Sequence, residues 1–204
     1  MPERRLAPAP LTGLAVFAYA SLVDPESAAD TLGRPVEPAA TARLVGWRRR
    51  WSVARDNHAS EKSFARADDG SRPRFCLGLN LEPGAEVAEA PNGALIDVTE
   101  AELRRLDLRE IRYRRVEVTG ALDELPGAID RVFAYAARPE RFAPTPPRGA
   151  VIIATYPRFV EAAFAALGDG HLDLYRRTTQ SPPVPVVEGV LVEDRIPPGN
   201  PRAW

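Results

Sequence analysis

Hydrophobic residues in this chain come in short runs divided by turn-forming residues. Leu14-Ala15-Val16-Phe17-Ala18-Tyr19 is the longest run, and its length suits a buried strand. Asp24-Pro25 marks a turn beyond it, and residues 27–32 predict a short helix stopped by Gly33 and Pro35. Residues 41–54 predict a second strand, with Trp47, Arg49, Trp51 and Val53 on one side and Arg48, Arg50 and Ser52 on the other. The polar stretch 56–74 reads as an exposed loop. Residues 75–81 and 94–98 predict further strands. Thr99 followed by Glu102 has the spacing of a capping box, so a helix starts there with Leu103 and Leu106 on its apolar stripe.

Residues 114–119 and 131–136 predict two more strands. Pro157 suits the first turn of a helix. Phe159, Val160, Ala163, Phe164 and Leu167 then recur at helical spacing, and Gly168 is placed to end it. Residues 181–185 form a Pro-rich connector before a last strand at 186–192. Short strands with two or three helices in mixed order predict one α+β domain over residues 13–204. A disordered leader is expected at 1–12 and a Pro-rich C-terminal extension from residue 179 onward.

Charge narrows the function. Lys and Arg total 27 against 28 Asp and Glu, and a net charge of −1 gives no global attraction to nucleic acid or an anionic membrane. Neither is expected as a partner, and the oligomeric state stays open. The 21 prolines and 14 glycines predict a turn-rich fold. Cys76 is the single cysteine, so an intrachain disulfide is impossible and a reducing compartment is expected. No apolar run approaches the roughly 18 residues of a membrane helix, and the first residues lack the apolar core of a signal peptide. The expectation is a soluble, cytoplasmic protein.

The candidate chemistry is sparse. His58 and His171 are far apart and no CxxC is present, so no metal site is expected. Cys76 sits in an apolar strand, where a buried, inert thiol is expected. Ser21 is not in a GxSxG setting. Residues 43–55 hold five arginines interleaved with Trp47 and Trp51. They read as a strand whose tryptophans fill the core while its arginines pair with acids elsewhere; a single-stranded nucleic-acid adaptor is the alternative.

Glu110 is the most informative acid. If the helix starting near Thr99 reaches it, Leu103, Leu106 and Glu110 stand at i, i+3 and i+7 on one buried face. A carboxylate there loses hydration, and its pKa rises toward the range of a general acid/base. Alternatively the helix ends first, and Glu110 pairs with Arg109, Arg112 or Arg114 in solvent. The second candidate is the turn after the first strand. There the amides of Tyr19, Ala20, Ser21 and Leu22 can converge on a carboxylate or oxyanion.

At these two places the sequence resembles the γ-glutamylcyclotransferase-like superfamily. That pattern opens with a strand and a Tyr-Gly-Ser-Leu or Tyr-Gly-Ser-Asn loop; here it reads Phe17-Ala18-Tyr19-Ala20-Ser21-Leu22. Gly93-Ala94-Leu95-Ile96-Asp97-Val98-Thr99, Leu106-Asp107-Leu108-Arg109-Glu110 and Tyr113-Arg114-Arg115-Val116-Glu117-Val118 follow in family order. Gly46-Trp47-Arg48-Arg49-Arg50-Trp51 also looks like a Gly-aromatic-Arg segment of some members. The likeness spans residues 14–120, and the C-terminal third matches more loosely through Tyr156.

The resemblance implies a mixed domain built on a small barrel-like sheet. It also implies cofactor-free chemistry on a γ-glutamyl compound, whose α-amine attacks its own γ-carbonyl to give 5-oxoproline and release an amine. Glutathione, γ-glutamyl amino acids, γ-glutamyl amines and a biosynthetic carrier all fit. Glu110 matches the catalytic Glu, Tyr19, Ala20, Ser21 and Leu22 match the glutamyl-binding loop, and Tyr113 matches the aromatic after the Glu. Ala20 stands where the family usually has glycine; if that position needs a positive φ or very close substrate approach, alanine costs energy or blocks the pocket, and the loop is reshaped. A non-catalytic ligand- or protein-binding module on the same fold is the alternative.

Overall fold

In the computed structural model, residues 12–84 and 86–201 are described. Strand β1 (Gly13–Ala18) lies at the centre of a five-stranded mixed sheet. On one side it pairs antiparallel with β6 (Asn92–Asp97), which carries β2 (Ala40–Arg43) at the edge. On the other it pairs in parallel with β8 (Ile129–Ala137), which carries β7 (Tyr113–Glu117). A strand covered on both faces needs a continuous apolar run rather than alternation. Ala15, Val16, Phe17 and Ala18 are accordingly all buried.

Three further pairs surround this sheet. They are β3 (Trp47–Asp56) with β5 (Phe75–Pro83), β4 (Lys62–Arg66) with β11 (Gly189–Asp194), and β9 (Ile152–Ile153) with β10 (Val186–Val187). The class is α+β in a single domain, as expected. Among the described residues the strands form no closed barrel, and four α-helices are present rather than two or three.

Local sequence explains the first two helices. Asp24 caps α1 (Pro25–Leu32) by accepting from the Ser27 amide at 2.8 Å, Pro25 opens it, and Gly33 ends it at φ 76°. Helix α2 (Glu100–Arg109) starts in a complete capping box. The Thr99 hydroxyl accepts from the Glu102 amide, and the Glu102 carboxylate accepts from the Thr99 amide at 2.7 Å. Arg34 reaches the same carboxylate at 2.5 Å and ties α1's exit to α2's start. Leu103 and Leu106 are buried beneath. Helix α3 (Thr155–Ala166) buries Val160, Ala163 and Phe164, while Phe159 stays exposed. Helix α4 (His171–Arg177) was not evident from the sequence, because seven residues give too short a window for periodicity.

Other expectations are corrected. The single strand at 41–54 is two strands, broken at Gly46, whose φ is +79°. The expected alternation also fails at its end. A bulge sets Trp51 and Ser52 opposite one residue of β5, so Trp51, Ser52 and Val53 are all buried. The exposed loop expected at 56–74 contains β4, whose partner β11 lies more than 100 residues away and is invisible to local pattern. Residues 1–11 of the expected leader lie outside the described residues. Thr12 is held by its hydroxyl's bond to the Val98 carbonyl at 2.6 Å.

Gly93 on β6 marks where two strands crowd. A Cβ there would meet the Ala18 carbonyl and come within 2.6 Å of Phe17 Cζ. Gly93→Ala is expected to destabilise the fold by about 1–3 kcal/mol in urea titration, because neither a central-strand backbone nor a buried ring can retreat. Unchanged stability would refute this account of the glycine.

Candidate active site

A cavity of about 600 Å³ opens where the turn after β1, α1, the end of α2 and the inner faces of β3, β4 and β5 meet. Tyr19, Ala20, Ser21, Leu22, Glu110 and Tyr113 all line it. The six positions singled out in the sequence are thus brought to one place, although 88 residues separate Leu22 from Glu110.

Glu110 is not inside the helix. It is the residue on which α2 ends, at φ −88° and ψ 40°. Its amide still donates to the Leu106 carbonyl at 2.8 Å, so its position continues the turn and stays in register with Leu106. Only 16% of the side chain is exposed. Burial raises its carboxyl above the ordinary glutamate value, while the charges of Arg109 and then Arg112 oppose the rise. The expected rival arrangement, a pair with Arg109 in solvent, is half realised: the pair forms at 3.1 Å, but in the interior.

Arg109 was read as a surface partner and is instead 4% exposed. All five of its N–H donors have partners. One guanidinium nitrogen donates to the Ser27 carbonyl at 2.7 Å and the Thr31 hydroxyl at 2.5 Å. The other donates to the hydroxyls of Ser27 at 2.9 Å and Ser21 at 3.3 Å. Nε donates to Glu110 Oε1. One side chain therefore joins α1, the turn and Glu110. A sequence signal for it existed, because Glu102, Leu106 and Arg109 are spaced by four and three on one helix stripe.

The turn is a short 3-10 segment, Ser21–Val23, preceded by Ala20 at φ −145°. No non-glycine residue among those described has a positive φ, so Ala20 carries no left-handed backbone penalty. Among the described residues, the amides of Ala20, Ser21 and Leu22 donate no backbone hydrogen bond, as the opening of such a turn requires.

The phenols around the cavity are pinned. Tyr19 donates to the Tyr135 carbonyl at 2.7 Å, and Tyr113 donates to the Leu79 carbonyl at 2.9 Å. Tyr135 donates to Asp107 at 2.8 Å. Burial pushes the hydroxyls of Tyr19, Tyr113 and Tyr156 well up, so they stay neutral. Tyr156, on the first turn of α3, meets Trp51 edge-on at 6.0 Å.

Residues that sequence reasoning left out also line the cavity: Ser27, Arg55, Arg112 and Tyr135. Their chemistry carries no local motif. Cys76 lines it too, and burial raises its thiol. Among the described residues no group of His, Cys, Asp and Glu could hold a metal ion, and no helix is long and apolar enough to cross a membrane.

The arginine stretch divides. Arg48 and Arg50 meet Glu82 at 3.3 and 3.6 Å, as expected of arginines pairing with acids. Arg49 departs from that expectation. It is fully buried against the rings of Phe164 and Tyr175, at 4.9 and 4.7 Å from their centres, where the two rings stack on each other, and it bonds the Thr179 hydroxyl and the Asn92 carbonyl. Burial lowers its pKa to about 10. Aromatic faces, not carboxylates, hold this cation.

Solved structures resemble this fold over most of the chain. YkqA from Bacillus subtilis superposes with a TM-score of 0.53 at 17% identity, over 84% of this chain and 55% of that one. The chain thus spans little more than half of YkqA's length. A γ-glutamyl cyclotransferase superposes with a TM-score of 0.55 at 13% identity, over 83% of this chain and 88% of that one. An uncharacterized protein from Homo sapiens gives 0.55 at 12% identity, over 82% and 88%. No sequence-family model and no curated protein sequence matches the chain. At such identities likeness speaks for architecture alone, and by its architecture this chain shares the fold of these structures, a γ-glutamyl cyclotransferase among them.

Proposed function

We propose that the cavity cyclises a γ-glutamyl compound to 5-oxoproline and releases the amine. The observation that carries this reading is Glu110: a carboxyl with a raised pKa, lining a substrate-sized cavity beside an amide-lined turn. The fold, shared with a γ-glutamyl cyclotransferase structure, supports it.

The reaction needs few parts. The substrate's α-nitrogen forms a bond to its own γ-carbonyl carbon, and the bond from that carbon to the amine nitrogen breaks. On its way from ammonium to lactam N–H the α-nitrogen gives up two protons, one to solvent so that its lone pair can attack and one that passes to the departing nitrogen, which leaves as an amine. No electrons change hands and no water enters. Nucleophile and electrophile belong to one molecule, so holding the chain folded supplies much of the acceleration.

Glu110 relays the proton. As carboxylate it accepts from the α-nitrogen, and as carboxylic acid it donates to the departing nitrogen. A raised pKa suits both roles near neutral pH better than an ordinary carboxyl. The amides of Ala20, Ser21 and Leu22 receive the glutamyl end, where negative charge sits or develops. Tyr19 and Tyr113, with hydroxyls already bonded, act as fixed walls. Arg109 orients Glu110 toward the turn through its bond to Ser21.

Glu110→Gln is expected to lower 5-oxoproline release by at least about 100-fold, read by mass spectrometry on a panel of γ-glutamyl compounds. Its amide oxygen can still accept from Arg109 Nε, so the fold should persist by circular dichroism. Full activity in that variant would refute the assignment. A folded wild-type protein that binds these compounds and releases nothing would be a binding module instead.

A second expectation concerns stability. Folding raises the Glu110 pKa above the ordinary 4.5, so the native state holds this proton more tightly than the unfolded chain. The group's contribution is full below the unfolded value and is lost as pH rises through the raised one. The melting temperature of Glu110→Gln minus that of wild type should therefore grow more positive from about pH 4 to about pH 7. A flat or falling difference would show that folding does not raise the Glu110 pKa.

A further inference from the structure

Four cationic side chains line the cavity: Arg55, Lys62, Arg109 and Arg112. Three have carboxylate partners. Arg109 meets Glu110 at 3.1 Å, Arg112 meets Glu61 at 2.8 Å, and Lys62 meets Asp194 at 3.5 Å. Arg55, among the described residues, is in no ion pair.

Its surroundings explain the isolation. Arg55 stands opposite Cys76 in the β3–β5 ladder, and its guanidinium lies 5.1 Å from the Phe64 ring centre. The Cys76 thiol across the ladder is kept protonated, and therefore uncharged, by burial. The charged groups facing it are Arg112, which repels it, and Glu61, which attracts it but is bonded to Arg112. Arg55, Arg112 and Glu61 together leave one positive charge in excess. Burial, with the repulsion of Arg112, pulls the Arg55 pKa down, and Glu61, already bonded to Arg112, offsets only part of that cost.

The other wall has the opposite sign. Asp24, Glu26 and Asp30, from α1 and its cap, line the cavity beside the neutral Arg109–Glu110 pair. The cavity is thus polarised, acidic near the turn and basic on the β3–β5 side. A substrate ammonium suits the first wall and an anion suits the second.

We infer that Arg55 reads an anionic group, a carboxylate, on the amine half of the substrate. This rests on the cyclisation reading, which assigns the glutamyl half to the turn and Glu110 and leaves the β3–β5 wall to the departing amine. Arg55 is then a specificity residue. It offers a planar pair of donors from a desolvated position, where a charge-assisted bond is strong.

The test compares γ-glutamylalanine with γ-glutamylalaninamide, which differ only in that carboxylate. Wild type is expected to favour the acid by about 10–100-fold in kcat/KM. Arg55→Gln should bring the ratio to about one by lowering turnover of the acid alone, and Arg55→Lys should keep part of the preference. If Arg55→Gln lowers both substrates equally, or neither, with its circular dichroism unchanged, the inference is wrong. If wild type turns over neither compound, the cyclisation reading has failed, and calorimetric binding of the same pair decides Arg55 separately. Tighter binding of the acid, lost in Arg55→Gln, upholds the anion site; equal binding, or none, overturns it.

Discussion

The Arg109 guanidinium is the constraint around which the candidate site is organised. Five N–H groups meet acceptors on α1, on the turn after β1 and on Glu110. A buried cation is tolerable only when its donors are satisfied and an opposite charge is near. Both conditions bind three separate segments to one geometry. Removing the carboxylate from such a pair, or the cation, typically costs about 3–5 kcal/mol when the survivor is stranded. Here the hydroxyls and carbonyls of Ser21, Ser27 and Thr31 keep Arg109 bonded whatever the state of Glu110. Glu110 is therefore the member of the pair free to change its proton.

That asymmetry separates positioning from chemistry. Arg109 is locked by α1, and α1 is locked by its Asp24 cap, its Gly33 exit and the Arg34–Glu102 bridge to α2. Glu110 is the residue on which α2 ends, so the bonds that define the helix also aim it. The turn is fixed from the other side, because it follows a strand buried on both faces. A cavity framed by such rigid parts can hold a flexible substrate in a folded conformation. Its polarity, acidic beside α1 and uncompensated at Arg55, gives that substrate a direction.

Two arginines outside ordinary ion pairing, the buried Arg49 and the half-buried Arg55, show how differently one residue type is used. Arg49 lies against two stacked rings, Phe164 of α3 and Tyr175 of α4, and completes their packing against β3. Arg55, on the same strand, has one aromatic neighbour and a neutral thiol, and lines open space. Arg48 and Arg50 share Glu82. The bulge that buries Trp51, Ser52 and Val53 together interrupts the alternation between Arg49 and Arg55.

Local chemistry was written in the sequence wherever it depended on near neighbours. The central strand, the helix capped by Thr99, the Asp24 and Gly33 limits of α1 and the register of Glu110 with Leu106 all follow from residues a few positions apart. So did the candidate positions of the turn and of Glu110, because a strand end and a helix stripe are local patterns. Tertiary structure decided what depends on distant partners. It paired β4 with β11, placed Arg109 inside rather than in solvent, put Arg49 against a pair of rings rather than beside acids, and left Arg55 facing the cavity. Periodicity reports which side of an element is apolar. It does not report which neighbour will desolvate a charge, and desolvation by distant segments sets the protonation of Glu110 and the charge of the opposing wall.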